Sequence, residues 1–108
     1  YNLAITGAIK DDILPLDDIT YYAITFLQNN YLKRLQDRYS EEITQDMEFV
    51  TVLDIIGKKR GALIHGGEID YDRVYNIVLN DIRNKQLGKL AFDLLWENMK
   101  TNYYYKVF

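Results

Sequence analysis

The chain has 108 residues, 48% hydrophobic and 27% charged, a make-up that fits one folded domain, is too short for two ordinary ones and excludes a wholly disordered tail. With no cysteine and one histidine, disulfides, thiolate zinc sites and a cysteine nucleophile are excluded, and little is left for a zinc site. The net charge of −3 argues against nucleic acid only as an average: residues 1–57 hold 4 basic and 10 acidic side chains, whereas residues 58–89 hold 7 basic and 4 acidic ones. Such asymmetry hints at an interaction surface.

Residues 1–16 read as a connector, in which Gly7 and Pro15 flank Asp11 and Asp12. From Asp17 or Asp18 as N-cap, the recurrence of Ile19, Tyr22, Ala23, Phe26 and Leu27 predicts a helix that Asn29 and Asn30 end or bend. Leu32, Leu35 and Tyr39 extend a helical pattern over a shorter stretch. After a polar stretch from Ser40 to Gln45, Asp46 is expected to cap a helix with Phe49, Val52, Leu53 and Ile56 on its apolar side, running into Gly57–Gly61. A loop over residues 62–68 breaks at Gly66 and Gly67. Asp70 then caps a helix whose stripe is Tyr71, Val74, Val78 and Ile82, with Ile69 and Val74 as a hydrophobic staple and Gly88 as the expected C-terminal cap. A weaker helix follows Asp93 through Leu94, Leu95, Trp96 and Met99. Thr51-Val52 and Ala62-Leu63-Ile64 are the only β-leaning runs, so the expected fold is all-α, a small bundle of four or five short helices.

No segment looks catalytic. Gly61 to Gly66 has the gap of a phosphate loop, but Gly67-Glu68 stands where a lysine and a hydroxyl residue are required. His65, with Glu68 and Asp70 nearby, could be drawn as a base with an orienting carboxylate, yet no nucleophile accompanies it; a loop histidine is the simpler reading. Metal binding by Glu68, Asp70 and Asp72 is equally weak, Asp70 being better explained as a cap.

The helix after Asp70 carries the sharper signal. Arg73, Asn76, Asn80 and Arg83 fall in one sector of roughly 80°, opposite the apolar stripe. These residue types can fork onto phosphates, 2′-hydroxyls and base edges. Lys58, Lys59 and Arg60 precede this helix and Lys85 and Lys89 follow it, so the cations of residues 58–89 could form one phosphate-contacting face. A merely solvated charged face is the competing reading. The tail from Trp96, with Tyr103, Tyr104, Tyr105 and Phe108, could stack on bases or close the core. No run of eighteen apolar residues occurs, so no membrane partner is expected, and a chain opening at Tyr1 without a leader is expected to be a soluble piece of something longer.

Two separated runs, GKKRGALIHGGEIDYDR at 57–73 and LNDIR at 79–83 with LGKLAFD at 87–93, together with LAITGAIKDD at 3–12, resemble the C-terminal domain of the ribosome biogenesis GTPase A family, circularly permuted GTPases. The resemblance covers residues 2–93. It implies a helical domain over 17–93 that binds rRNA and proteins of the large ribosomal subunit during late assembly and a connector over 1–16 from a GTPase domain outside these residues; the aromatic tail over 94–108 lies outside the resemblance. In the whole protein GTP and Mg²⁺ are implied for that GTPase domain, whose switch region would directly precede the connector and could pass on nucleotide state mechanically. No cofactor and no enzyme activity are expected in these 108 residues. The RNA-binding positions implied are the basic loop Lys58, Lys59 and Arg60, the turn His65, Gly66 and Gly67, and Arg73, beside Asn76, Asn80, Arg83, Lys85 and Lys89 from the helical reading. A cytoplasmic monomer is expected. The alternative is a regulatory helical domain whose basic face meets its own GTPase domain or an acidic protein.

Overall fold

The structure, a computed structural model, describes residues 16–99. The connector over 1–16 lies outside the described residues except for Leu16, as does the tail from residue 100 onward. Five helices follow in order: α1 (Leu16–Asn30), α2 (Leu32–Arg38), α3 (Phe49–Arg60), α4 (Tyr71–Arg83) and α5 (Lys89–Met99). This is the all-α bundle expected. Among the described residues the only β pairing is an isolated antiparallel bridge between Leu63 and Ile69.

The helices form because each has an apolar side to bury. Ile19, Ala23, Ile24 and Leu27 of α1 are all at most 1% exposed, so α1 packs as a central element against α2, α3, α4 and α5. Val74, Val78, Leu79 and Ile82 line the inner side of α4, each worth roughly 1.5–3 kcal/mol on full burial. Tyr71, expected in that stripe, is 38% exposed, with its hydroxyl on Asp54 of α3 at 2.7 Å. The link is favoured because a phenol can rest on the surface while its tip finds an acceptor.

Several expected caps stand elsewhere. Asp17 and Asp18 lie in the first turn of α1, where carboxylates still complement the helix dipole. Asp46 does not cap α3: the N-cap is Glu48, without a side-chain cap bond, while Asp46 accepts from the Thr44 hydroxyl. The preceding loop is instead fixed from α1, where buried Gln28 donates to the carbonyls of Thr44 and Met47 at 2.9 and 3.0 Å. Gln36 donates to the Ile43 carbonyl, and the Ile43 side chain is fully buried. Asp70 does cap α4, accepting from the Arg73 amide at 3.2 Å.

Gly88 is not the C-cap of α4. That helix ends at Asn84 with Lys85 in the left-handed region at φ 59, the Gln86 amide bonding back to the Asp81 carbonyl and the Lys85 amide to that of Ile82. This is a Schellman closure with a lysine in the position glycine usually takes. Gly88, at φ 101, opens α5, and the Phe92 amide bonds back to its carbonyl. Helix α5 thus begins before Asp93 and continues through it, carrying Ala91, Phe92, Leu95 and Trp96 into the core. The division expected after Asp93 falls inside this helix, because Leu95 and Trp96 are the next turn of its buried side.

Candidate nucleic-acid interface

Helix α3 ends at Gly61, which adopts φ 68 and lets the Ala62 amide return to the Gly57 carbonyl at 2.8 Å. The chain then makes a small hairpin. Asp70 and Ile64 amides donate to the Ala62 and Glu68 carbonyls, and the Gly67 amide closes the tip on Ile64. Gly66 and Gly67 both have positive φ, which is the backbone reason this turn contains them. The hairpin stands out from the bundle: residues 63–68 are exposed, Leu63 and Ile64 by 42% and 47%.

His65 sits at the tip of this turn, exposed and without a hydrogen bond to a described residue. It has no carboxylate to orient it, so the base-and-orienter drawing finds no geometry. No group of three potential metal ligands occurs among the described residues.

The twelve residues expected to contact RNA divide into distinct environments. Arg73, Asn76 and Asn80 project from the outer side of α4 and are exposed. Asn76 donates to the Asp72 carbonyl, and Asn80 accepts from the half-buried Arg83. Lys58 and Lys59 are exposed at the C-terminal end of α3 and make no ion pair with any described residue. Lys58 lines an open groove with Asp54, Glu68, Ile69 and Tyr71, so it lies beside the hairpin. Around the α4 axis Tyr71 and Arg73 are about 160° apart, which sets Arg73 away from the groove that Tyr71 lines.

The remaining cations are engaged locally. Lys85 lies over the Phe92 ring, 4.7 Å from its centroid. Lys89 pairs with Asp93 at 2.8 Å, an exposed i,i+4 pair of little energetic weight. Arg60 is drawn inward: its guanidinium reaches Asp81 at 3.2 Å and lies 5.0 Å over the Tyr39 ring. The seven cations of residues 58–89 therefore do not all share one face. Four kinds of place result: a polar strip on α4, two lysines at the end of α3, an arginine inside an ion-pair network, and Lys85 and Lys89 engaged with Phe92 and Asp93 of α5.

That network centres on Asp81, a residue the sequence reading passed over. Asp81 is 7% exposed and accepts from Arg38 through both oxygens at 3.0 and 3.2 Å, from the Tyr39 hydroxyl at 2.6 Å, and from Arg60. It ties α4 to the ends of α2 and α3. Burial works against its charge, but the hydrogen bonds from Arg38 and Tyr39 and the two guanidinium charges outweigh it and hold the carboxyl below its ordinary range. Burial, then the bond to Asp81, pushes the Tyr39 phenol far up. A signal was present in the sequence: position 81 is i+7 from Val74 and i+3 from Val78, on the edge of the buried stripe.

No family model matches the chain. It is 48% identical over 92 residues to ribosome biogenesis GTPase A of Bacillus licheniformis, an alignment covering 84% of this chain and 32% of that protein. The same protein of Bacillus cereus is also 48% identical over 92 residues, with 84% and 30% covered. A probable ribosome biogenesis GTPase A of Mycoplasma genitalium is 22% identical over 94 residues, or 87% of this chain and 32% of its own length. The chain thus spans about a third of the length of the curated relatives it matches. By that likeness, and by the runs at 57–73 and 79–93 that first suggested it, this chain is homologous to the C-terminal part of ribosome biogenesis GTPase A.

Proposed function

We propose that these residues form the rRNA-docking module of a ribosome biogenesis GTPase acting in the cytoplasm late in large-subunit assembly. The observation that carries this reading is the outer strip of α4, where Arg73, Asn76 and Asn80 stand exposed side by side with hydrogen-bonding capacity turned to solvent. Lys58 and Lys59 add charge at the α3 terminus, and the hairpin tip of His65, Gly66 and Gly67 offers backbone that a nucleic acid can approach closely. Arg83 stands at the edge of the strip. In this reading Arg60 shapes the domain through Asp81 and is not a phosphate contact.

The relatives' shared name supports work on the ribosome and a GTPase parent. Hydrolysis of GTP, with Mg²⁺, would belong to a domain outside this chain, since the glycine loops here lack the lysine and hydroxyl that phosphates and metal require. Among the described residues no helix is long and apolar enough to cross a membrane. The competing reading, a monomeric regulatory domain that turns the same strip to its own GTPase domain or to an acidic protein, separates on salt and substrate.

Arg73→Glu combined with Lys59→Glu changes two exposed, unpaired cations. Binding of a large-subunit rRNA fragment, followed by fluorescence anisotropy, should fall at least tenfold and lose about two charges' worth of salt slope, with the helical circular dichroism unchanged. Unchanged rRNA affinity would sink the proposed face. In isothermal titration the isolated chain should give no saturable heat with GTP and Mg²⁺; a micromolar site would overturn the reading of its glycines.

A further inference from the structure

On the side of the bundle where α1, α3 and α4 begin, three aromatic rings form a continuous surface. Tyr21 of α1 meets Phe49 of α3 edge to face at 5.2 Å, and Phe49 stacks on Tyr75 of α4 at 6.5 Å with planes 3° apart. Tyr21 remains 52% exposed, and Val50 beside Phe49 54%. Neither is needed to close the core.

Carboxylates surround these rings. Asp17 and Asp18 lie one turn before Tyr21, Glu48 directly precedes Phe49, and Asp72 lies one turn before Tyr75. Burial and the nearby charges of Asp17 and Asp72 push the Tyr75 phenol up, which locates both acids close to that ring. None of the four carboxylates has an ion-pair partner among the described residues, whose salt bridges all involve other acids. No cation answers them from the same elements. Helix α1 has no lysine or arginine, those of α3 are at its far end, and Arg73 lies about 160° around α4 from Tyr75.

An exposed tyrosine face among unpaired carboxylates attracts cations twice, through the ring quadrupole and through charge. The same carboxylates repel phosphate. We propose that the Tyr21–Phe49–Tyr75 face, with Asp17, Asp18 and Asp72, docks a lysine- or arginine-bearing protein segment, a second surface distinct from the α4 strip. The segment lays a cationic head over Tyr21 and its aliphatic stem along the rings and Val50. This surface does not depend on the RNA reading, and either can fail alone.

The test uses the ¹⁵N-labelled 108-residue chain and a decapeptide of alternating arginine and leucine, with a glutamate–leucine decapeptide and a deca-uridylate as controls. The arginine peptide should shift amide resonances of residues 17–21, 48–50 and 72–75, and bind more weakly as salt rises. Tyr21→Ala should weaken it about threefold, and Asp18→Asn with Asp72→Asn more, each with unchanged helical circular dichroism. An acidic chain that merely attracts any cation would give scattered shifts and the same affinity with Tyr21→Ala, and that result overturns the proposal. So would matching shifts from the uridylate, or from concentrating the chain alone, which would make the occupant a nucleic acid or a second copy.

Discussion

Asp81 shows what one side chain can decide. Its two guanidinium partners have side chains about one-third exposed, at 33% and 30%, so they can rehydrate when it is removed, and the loss stays below that of a fully buried pair. Asp81→Asn should cost about 2 kcal/mol at neutral pH, read from urea unfolding. Because the folded carboxyl titrates below its ordinary value of 3.8, the network's stabilisation is complete above that value and is lost as pH falls through the lower folded one. The gap between wild type and Asp81→Asn should therefore narrow on acidification below about pH 4. A gap independent of pH would show that packing, not charge, holds this corner. In the sequence Asp81 counts simply as one acid among the cations of 58–89, and pairing with Arg38, 43 residues away, is invisible there.

Elements meet through residues whose spacing gives no hint of contact. Gly57 lies inside α3, not in a flexed loop, and a Cβ there would stand 2.9 Å from Ile69 Cγ2 and 3.2 Å from Val74 Cγ2. The pair expected as a staple for α4 thus also packs on α3, and glycine allows the two helices to approach. Gly57→Val should destabilise the domain by about 2 kcal/mol through overpacking and β-branching, measured by denaturant midpoint. The opposite sign would mean that Ile69 moves freely. Caps were legible where the carboxylate immediately precedes an amphipathic run, as at Asp70. They were not at Asp46, which lies in a turn two residues before the actual N-cap Glu48, in a loop that Gln28 holds from another helix.

At the scale of the whole molecule, α5 closes the bundle. Leu95 is fully buried and Trp96 8% exposed, and α5 packs along α1. Truncation after Asp93 should cost more than about 3 kcal/mol, the loss of a buried tryptophan alone being of that size. Thermal unfolding by circular dichroism should then show a large fall in Tm; an unchanged Tm would mean that the core closes without this turn. The RNA strip, by contrast, is a surface property, and charge reversal there should leave Tm nearly unchanged.

Periodicity and composition by themselves determined that the chain is an all-α bundle, that α1, α3 and α4 exist and that Asp70 caps, while the relation to ribosome biogenesis GTPase A came from the likeness of the runs at 57–73 and 79–93 to that family. These are local properties, carried by residues within a turn or two of one another. Only the tertiary structure decided which charges are available, since pairing depends on elements far apart in sequence. It drew Arg60 and Arg38 into Asp81, left Arg73 and Lys58 in water, and gathered Tyr21, Phe49 and Tyr75 from three helices among unpaired carboxylates. The charge division between 1–57 and 58–89 thereby becomes one polar strip, one buried network and one acidic aromatic face.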